Sequence, residues 1–539
     1  MNAPRILTRR TFASRLSTLG LGGALATLTG VPPLMQRALA EGSIGRPARD
    51  GRVKKLLFLF LRGANDGLNS VIPYGDPAYN TTNRPTLYLA PDPGQSVGIT
   101  GPAYFPASGA ALGTYLRAAG TPLGGLALGN GFAGLHPSLK FLAPVYNAGD
   151  LALVHRVGYP RQSRSHFDSQ NYWETGSPRD EMIREGLLYR AMVESGLANT
   201  NPLTAVSFQS SLPLILRGSK AAMTNLSDTS RYSLFGVPND ATGGGADKAE
   251  RFLKRAIEAG FADKKSRELL DLQYHNLLNT MEIFASIDFN AQFLDNEATD
   301  GDRPYPLFPT SNDTNGGWQG RNDPDKYVVP TSSYDFFRNL KAAALVLNKT
   351  DALVAGTQID GFDTHSNQGS TAGAHANLLR RIGWAVYGLR KYFLQNPDKC
   401  RWDDLVVVTL TEFGRTTVEN DDNGTDHAEA GVMFVAGGAV KGYVAGPSGR
   451  SGVFGADRRD SLPWQTGQTG SMFQASQRYL QRTYDYRSIL GRLLRNHLCA
   501  TPAQLGRILP GYASAGEALL AGGVQSADGV RIMGEPDFI

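Results

Sequence analysis

Cysteine is nearly absent from this sequence of 539 residues, which contains only Cys400 and Cys499. A disulfide framework and a thiolate metal cluster are therefore excluded, while one bridge or two independent buried thiols both stay open. After its first 40 residues the sequence also lacks an uninterrupted apolar run of about 20 residues, the length of a membrane-spanning helix. Because a thiolate cluster is excluded, any metal site in this chain would use oxygen and imidazole ligands.

Net charge is absent too, once the N-terminus is set aside. Residues 1–40 contain five arginines and no acidic residue, and they account for the whole formal net charge of +5. Since the chain has 54 Lys and Arg against 49 Asp and Glu, the remaining 49 basic side chains balance the acidic ones. A neutral chain without a basic stretch that interleaves aromatic residues is not typical of a nucleic-acid binder.

Residues 1–40 have the three parts of a cleavable export signal. Arg9 and Arg10 precede a weakly apolar stretch from Leu16 to Met35, and Ala38–Ala40 gives a small-x-small end. Paired arginines predict the twin-arginine export machinery as a partner and a periplasmic or extracellular protein without a stable membrane span after cleavage. A membrane anchor is the alternative, although the glycines and prolines of this stretch make a poor span.

Short apolar runs recur along the rest of the chain. They lie at Lys54–Leu61, Leu151–Val157, Thr204–Phe208, Ala352–Ile359, Leu405–Thr411 and Val432–Ala436. Segments long enough for helical crossovers separate the runs, so the pattern predicts an α/β fold with a mostly parallel sheet sandwiched between helices. We interpret residues 41–539 as one such domain.

Two segments of this domain differ from the alternating pattern. Residues 221–345 read as a helical and loop insertion, with a long amphipathic stretch at Asp247–Glu297 and a second helical pattern at Tyr334–Leu347. Residues 510–539, rich in Gly and Ala, read as a loosely packed tail.

Acidic and imidazole side chains lie next to the ends of the predicted strands. This set comprises Asp66, Asp363, His365, Glu412, Asp426 and His427. Ligands bind beyond the carboxyl ends of strands in parallel sheets, so the recurrence predicts a site for divalent metal ions, with Zn, Mn, Mg or Ca as the candidates. Taken singly, Asp66 is more typical of a turn, and Asp426 and His427 also fit an Asx-turn and a surface imidazole.

A hydroxyl and a guanidinium lie together before a predicted helix. Arg164 and Ser165 follow the second apolar run, where a helix N-terminus favours an anion. Ser165 would be the nucleophile for an anionic ester, and Arg164 or Arg415 would neutralise the anionic group. The alternative is that Ser165 only caps the helix.

Five motifs follow the predicted strands: Phe-Leu-Arg-Gly-Ala-Asn-Asp-Gly at 60–67, Ser-Arg-Ser-His-Phe at 163–167, Gly-Phe-Asp-Thr-His at 361–365, Thr-Glu-Phe-Gly-Arg at 411–415 and Gly-Thr-Asp-His at 424–427. In combination they resemble the exported family known as domain of unknown function 1501. That family is similar to the alkaline phosphatase and sulfatase superfamily, whose members hydrolyse phosphate or sulfate esters with metals and a Ser, Thr or modified Cys nucleophile. The resemblance implies an alkaline-phosphatase-like fold and an exported, metal-dependent ester hydrolase. In that arrangement Asp66, Glu412 and Ser165 would surround one ion, and Asp363, His365 and His427 would surround another.

The superfamily pattern can be carried over residue by residue. It matches Asp66 to the carboxylate after the first strand, Ser165 to the nucleophile and His427 to the final histidine. It also matches Asp363 and His365 to an Asp/His pair whose usual spacing is wider, which leaves Asp360 as an alternative to Asp363.

Phe413 departs from the superfamily pattern. It stands where a histidine would follow the acidic residue, Glu412 here, so one metal position has lost a ligand unless Asp426 or His166 replaces it. The second hypothesis is therefore a catalytically inactive exported protein of the same fold that acts in binding or assembly with a protein partner.

Overall fold

The computed structural model describes most of the chain after residue 50. The described residues are 44–47, 51–91, 124–180, 182–199, 203–221, 223–227, 255, 280, 283–300, 303–310, 331–445, 449–456 and 478–539. The predicted export signal at residues 1–40 and most of the predicted helical stretch Asp247–Glu297 lie outside the described residues.

A nine-stranded sheet forms the centre of the described structure. Its strands are β1 (Lys55–Leu61), β2 (Leu151–Gly158), β3 (Ala205–Phe208), β4 (Thr224–Leu226), β5 (Val354–Ile359), β6 (Leu405–Thr411), β7 (Gly431–Ala436), β8 (Val453–Phe454) and β9 (Tyr484–Asp485). Their order is β8-β2-β7-β6-β1-β5-β3-β4, and β9 also pairs with β2. Only β7 makes antiparallel pairs among these strands, with β6 and β2, so the prediction of a mostly parallel sheet is confirmed.

Strand β1 lies in the middle of the sheet and is buried on both faces. It pairs in parallel with β5 and β6, so that Leu59 lies between Thr357 and Thr409. Leu57 packs into the core on one face of the sheet, and Phe58 packs into the core on the other. A strand that is covered on both sides has no solvent face, which explains its continuous apolar sequence.

Helices cover both faces of the sheet. They are α1 (Gly67–Ser70), α2 (Leu142–Asn147), α3 (His166–Thr175), α4 (Leu187–Ser195), α5 (Tyr334–Lys349), α6 (Ala374–Gln395), α7 (Tyr486–Arg492) and α8 (Pro502–Ile508). Residues of α2, α5 and α6 contribute to the core on the Leu57 face, and residues of α3, α4, α7 and α8 to the core on the Phe58 face. The predicted α/β sandwich is therefore confirmed.

Smaller elements complete the described secondary structure. Short strands pair outside the central sheet at Val71–Ile72, Leu126–Ala127 and Gly134–Leu135, at Leu294–Asp300 and Arg303–Pro306, and at Gly523–Val524 and Arg531–Ile532. Single turns of 3-10 helix lie at Pro137–Leu139, Leu197–Asn199, Leu214–Leu216, Thr331–Ser333 and Trp402–Asp404, and a π-helical segment at Leu493–His497 follows α7. In the described part of the chain, no helix combines the length and the apolarity that a membrane span requires.

The segment at 221–345 is joined to the central sheet at its start and to the core at its end. Strand β4 extends the sheet beside β3, and α5 packs on the Leu57 face. The expected helical pattern Tyr334–Leu347 corresponds to α5, which runs two residues further.

The C-terminal segment 510–539 is packed, which corrects the expectation of a loose tail. Leu519 and Phe538 are fully buried in the core on the Phe58 face. The Tyr512 hydroxyl donates to Glu535 at 2.5 Å, and Arg492 donates to the carbonyl of Ile539 at 3.0 Å. Single apolar residues spaced among Gly and Ala show no helical or strand period, so their burial leaves no pattern in the sequence.

Both cysteines are free thiols. Cys400 is fully buried, and burial raises the pKa of its thiol to about 12. The sequence left open a disulfide bridge or two independent thiols, and the structure has two independent thiols.

Candidate metal centre

The loops that carry the predicted ligands meet at one edge of the sheet. The loops after β1, β2, β5 and β6 leave from the carboxyl ends of parallel strands. Because β7 runs in the opposite direction, the single loop that connects β6 to β7, residues 412–430, both begins and ends at this same edge. An isolated antiparallel bridge between Arg415 and His427 joins the two ends of this loop. This topology places Asp426 and His427 beside residues that follow other strands.

Three side chains converge closely enough to bind one ion. His166 Nε2 lies 3.0 Å from His427 Nε2, His427 Nε2 lies 3.1 Å from Asp363 Oδ1, and His166 Nε2 lies 3.4 Å from Asp363 Oδ2. We call these three residues the ligand cluster. Ligands of a tetrahedral ion at about 2.0–2.1 Å lie roughly 3.3 Å from one another, which these separations resemble.

His365 lies directly beside the ligand cluster. Its Nε2 is 2.9 Å from His427 Nε2 and 3.1 Å from Asp363 Oδ1. Asp360, the alternative to Asp363, accepts instead from the side chain of Gln358 at 3.2 Å. The structure therefore brings Asp363, His365 and His427 together, as the sequence predicted, and adds His166.

The outward nitrogens of two imidazoles have acceptors. His427 Nδ1 lies 2.8 Å from the carbonyl oxygen of Arg164, and His365 Nδ1 lies 3.1 Å from Asp426 Oδ1. A carbonyl can only accept, so Nδ1 of His427 carries the proton and its Nε2 lone pair faces the cluster. Burial alone would raise the pKa of Asp426, but hydrogen bonds from Asn420 and His365 and the charge of the paired Arg478 lower it below its usual value.

The charges of the ligand cluster suit a cation. Burial alone would raise the pKa of Asp363, but the Arg415 guanidinium beside it lowers the pKa to about 2. Burial, with help from Arg415 and His166, lowers the pKa of His427 below its usual value. At neutral pH the carboxylate is ionised and the His427 imidazole is neutral, which are the states that bind metals.

Arg415 is buried and holds three loops together. Its donors reach the carbonyls of Ala64 at 2.9 Å, Thr425 at 3.0 Å and Phe362 at 3.1 Å, and it also contacts the Asp363 carboxylate. Its side chain is 0% exposed, so a substrate cannot reach it without rearrangement. These surroundings fit a role of Arg415 in positioning Asp363. They fit the predicted role of Arg415 in contacting an anionic substrate less well.

Glu412 lies behind His166 and is also fully buried. Its carboxylate accepts from the backbone of Gly63 at 3.0 Å and of Ala64 at 2.9 Å, and from Gln170 Nε2 at 2.7 Å. The nearest contact with the cluster is 4.0 Å, to His166 Nδ1. Gly63 has φ of +105°, and a Cβ there would lie 2.5 Å from the backbone nitrogen of Asp363, so this tight loop requires glycine.

Asp66 is surrounded by donors of the protein. Arg84 Nη1 and Gln368 Nε2 each lie 2.7 Å from its Oδ2, and the Leu68 N–H donates to its Oδ1 at 3.1 Å as the cap of α1. Burial alone would raise the pKa of Asp66, but Arg84, His375 and Gln368 lower it to about 2. Within the described part of the chain, Asp66 itself makes no contact with the ligand cluster.

Ser165 caps helix α3, as its alternative interpretation predicted. Its Oγ accepts from the backbone N–H of Asp168 at 3.4 Å, and the next residue is the cluster member His166. Arg164 is exposed, and its guanidinium lies 4.1 Å from the centre of the Tyr479 ring. Within the described residues the Arg164 side chain forms no close ion pair, although its charge interacts with the Glu429 carboxylate.

His166 is the cluster member that sequence reasoning treated only as a replacement. It occupies the first turn of α3 and follows the end of a strand, as the other predicted ligands do. This position in the sequence was the signal that could have identified His166 as a ligand. Phe413 is fully buried, with ring centroids 4.9 Å from that of His166 and 4.8 Å from that of His427. Phe413 therefore packs against two imidazoles at the position where the superfamily pattern has a ligand.

Comparison with known families supports part of the resemblance. Residues 319–458 match the model of a family described as "Protein of unknown function (DUF1501)". The matched segment includes Asp363, His365, Glu412 and His427, whereas His166 lies outside it. No match was found among curated proteins. The likeness to the alkaline phosphatase and sulfatase superfamily stays a prediction.

Proposed function

We propose that this chain is an exported, metal-dependent hydrolase of phosphate or sulfate esters. The observation that carries the proposal is the convergence of His166, Asp363 and His427, with ligand atoms 3.0–3.4 Å apart and the Nδ1 of His427 turned outward. Without a cation, the Nε2 lone pair of His427 would face the Asp363 carboxylate at 3.1 Å, which is unfavourable. A divalent ion relieves this conflict and supplies Lewis-acid charge for ester cleavage.

The donor set favours one zinc or manganese ion for each chain. Two imidazoles with a carboxylate, and a third imidazole beside them, suit these ions better than the oxygen-rich sites of Mg and Ca. A second ion would need further ligands, but Asp66 and Glu412 already accept hydrogen bonds on both carboxylate oxygens. A single-ion site is therefore the arrangement that we propose.

In this proposal Ser165 and Arg164 act on the substrate. The Ser165 hydroxyl loses its proton and its oxygen forms a bond to phosphorus or sulfur, while the ester bond breaks so that the alcohol leaves with the electron pair and takes up that proton. Water then releases phosphate or sulfate and restores the hydroxyl. The N-terminus of α3 and the Arg164 guanidinium stabilise the anionic group during both steps.

One panel of variants tests the ion and the nucleophile separately. Elemental analysis of metal-reconstituted wild type should find about one ion per chain, as in single-ion catalytic sites, and chromogenic phosphate and sulfate esters should be hydrolysed. His427→Ala should lose both properties. Ser165→Asn keeps a good helix cap without a hydroxyl, so it should retain the ion and lose turnover. Full activity in Ser165→Asn contradicts the nucleophile role, and absence of turnover on every ester contradicts the hydrolase.

Export is the second part of the proposal, and it is supported by the arginine pair and the small-x-small end of residues 1–40. N-terminal sequencing of the protein from the periplasm or medium should find a chain that begins after Ala40. Replacing Arg9 and Arg10 together by lysine should retain the precursor in the cytoplasm, and normal export of that double variant contradicts the twin-arginine route.

A catalytically inactive exported protein that binds a partner is the second candidate. The helix-capping role of Ser165 and the full burial of Arg415 favour it, because both reduce the number of groups free to act on a substrate. A protein that binds its ion but hydrolyses no ester would support this candidate over the first.

A further inference from the structure

One buried glutamine connects the two loops that carry Asp363 and His427. We define the first ligand loop as residues 361–365 and the second as residues 424–427. Gln368 is 0% exposed, and its Oε1 accepts from Thr364 Oγ1 at 2.9 Å and from Thr425 Oγ1 at 2.7 Å. Thr364 separates Asp363 from His365 in the first loop, and Thr425 belongs to the second loop together with His427.

The backbones of the two loop regions are also joined. The Thr425 N–H donates to the Thr364 carbonyl at 3.1 Å, and the Gln368 N–H donates to the Asn423 carbonyl at 3.0 Å. At Gly424 a Cβ would lie 2.2 Å from the His365 carbonyl oxygen, so the loops approach as closely as glycine permits. The Gln368 carboxamide therefore lies inside a compact junction between the loops.

The other end of Gln368 is fixed by a buried ion pair. Its Nε2 donates to Asp66 Oδ2 at 2.7 Å, and the same oxygen accepts from Arg84 Nη1 at 2.7 Å. Because a carboxylate accepts only from the amide nitrogen, this contact turns Oε1 toward the two threonines. Asp66, which the sequence predicted as a ligand, thus holds the glutamine that joins the ligand loops.

We propose that Gln368 is a positioning residue that sets the separation of Asp363 and His427 through Thr364 and Thr425. The inference rests on the metal site proposed above and deepens it. Partners behind the ligands of metal sites typically change metal affinity by about 10- to 100-fold when they are removed. We expect an effect of that size from Gln368, although it touches no ligand side chain.

The experiment compares Gln368→Met with Gln525→Met in the full chain. Gln525 is a matched control because it is also 0% exposed, donates to a buried carboxylate, Asp485 Oδ2, at 3.0 Å, and accepts from Arg482. Cobalt(II) is the probe, since its visible absorption reports both binding and coordination geometry. Both variants should lose thermal stability in the metal-free state, but only Gln368→Met should bind cobalt about 10- to 100-fold more weakly with an altered spectrum.

A milder variant keeps the test informative if Gln368→Met does not fold. Thr425→Val conserves shape and removes only the hydroxyl that bonds Gln368, so it should weaken cobalt binding and shift the spectrum in the same direction. Wild-type affinity and spectrum in Gln368→Met or in Thr425→Val overturn the positioning role alone. Absence of cobalt binding by the wild-type protein would instead overturn the metal site proposed above and this inference with it.

Discussion

Two aspartates at the same sheet edge have opposite surroundings. Asp66 follows β1 and Asp363 follows β5, its parallel neighbour. Burial alone would raise the pKa of each carboxyl group. A buried arginine, Arg84 beside Asp66 and Arg415 beside Asp363, instead lowers the pKa to about 2. Asp66 is 0% exposed and enclosed by Arg84 and Gln368, whereas the Asp363 side chain is 44% exposed and faces imidazoles.

The difference shows that position after a strand does not decide what a carboxylate does. Its role is decided by the residue from elsewhere in the chain that contacts the carboxylate. Arg84 neutralises Asp66 inside the protein, so that Asp66 serves as an anchor. Arg415 also contacts Asp363, but it leaves one carboxylate oxygen directed toward His166. Asp363 therefore retains the capacity to bind a cation.

Breaking the Asp66 pair should have the largest effect on stability. Asp66→Asn leaves the buried Arg84 without its counter-ion, which we expect to lower the free energy of unfolding by about 3–5 kcal/mol. Urea unfolding of metal-free protein measures this change. Asp335→Asn is the control, because its ion pair with Arg338 is exposed and should contribute at most about 1 kcal/mol. Equal losses in the two variants would mean that Asp66 is no anchor.

The reverse pattern is expected for Asp363. Asp363→Asn removes an ionised ligand, and metal affinity should fall about 100-fold or more, since a complete ligand set contributes about 10–16 kcal/mol. Stability of the metal-free protein should fall less than in Asp66→Asn, because the Asp363 side chain is half-exposed and its pair with the buried Arg415 is partly screened by solvent. Isothermal titration with zinc measures the first effect and urea unfolding the second. Unchanged zinc affinity would contradict the ligand role.

The sequence predicted the sheet and part of the centre. Uninterrupted apolar runs identify β1, β5 and β6 because both of their faces are buried, but they do not reveal that β7 runs antiparallel. Asp363 and His427 were predicted as ligands from their strand-end positions. No periodic pattern marks Arg84 or Gln368, because each acquires its role from partners distant in sequence, such as Thr416 for Arg84 and Asp66 for Gln368.

Acid should weaken the Asp66 anchor in a defined window. The folded-state pKa of Asp66, about 2, lies below its usual value of 3.8, so its stabilising effect is complete above about pH 4 and is lost as pH falls toward 2. The loss should be about 2 kcal/mol. Urea unfolding of metal-free wild type and Asp66→Asn between pH 4 and pH 2 measures it. If the variant lost as much stability as wild type in this window, other carboxylates would account for the pH dependence.

The smallest effect is expected from a substitution at the exposed rim of the candidate site that alters neither Asp66 nor Asp363. Arg164→Ala removes the cation that stacks on Tyr479, and an exposed charge contributes about 1 kcal/mol, so KM for a chromogenic sulfate or phosphate ester should rise about fivefold. Metal affinity should not change, because His427 bonds the backbone carbonyl of Arg164 and not its side chain. Arg164→Lys is the control and should recover most of the loss in KM. A change in metal affinity without a change in KM would place Arg164 among the groups that support the ion.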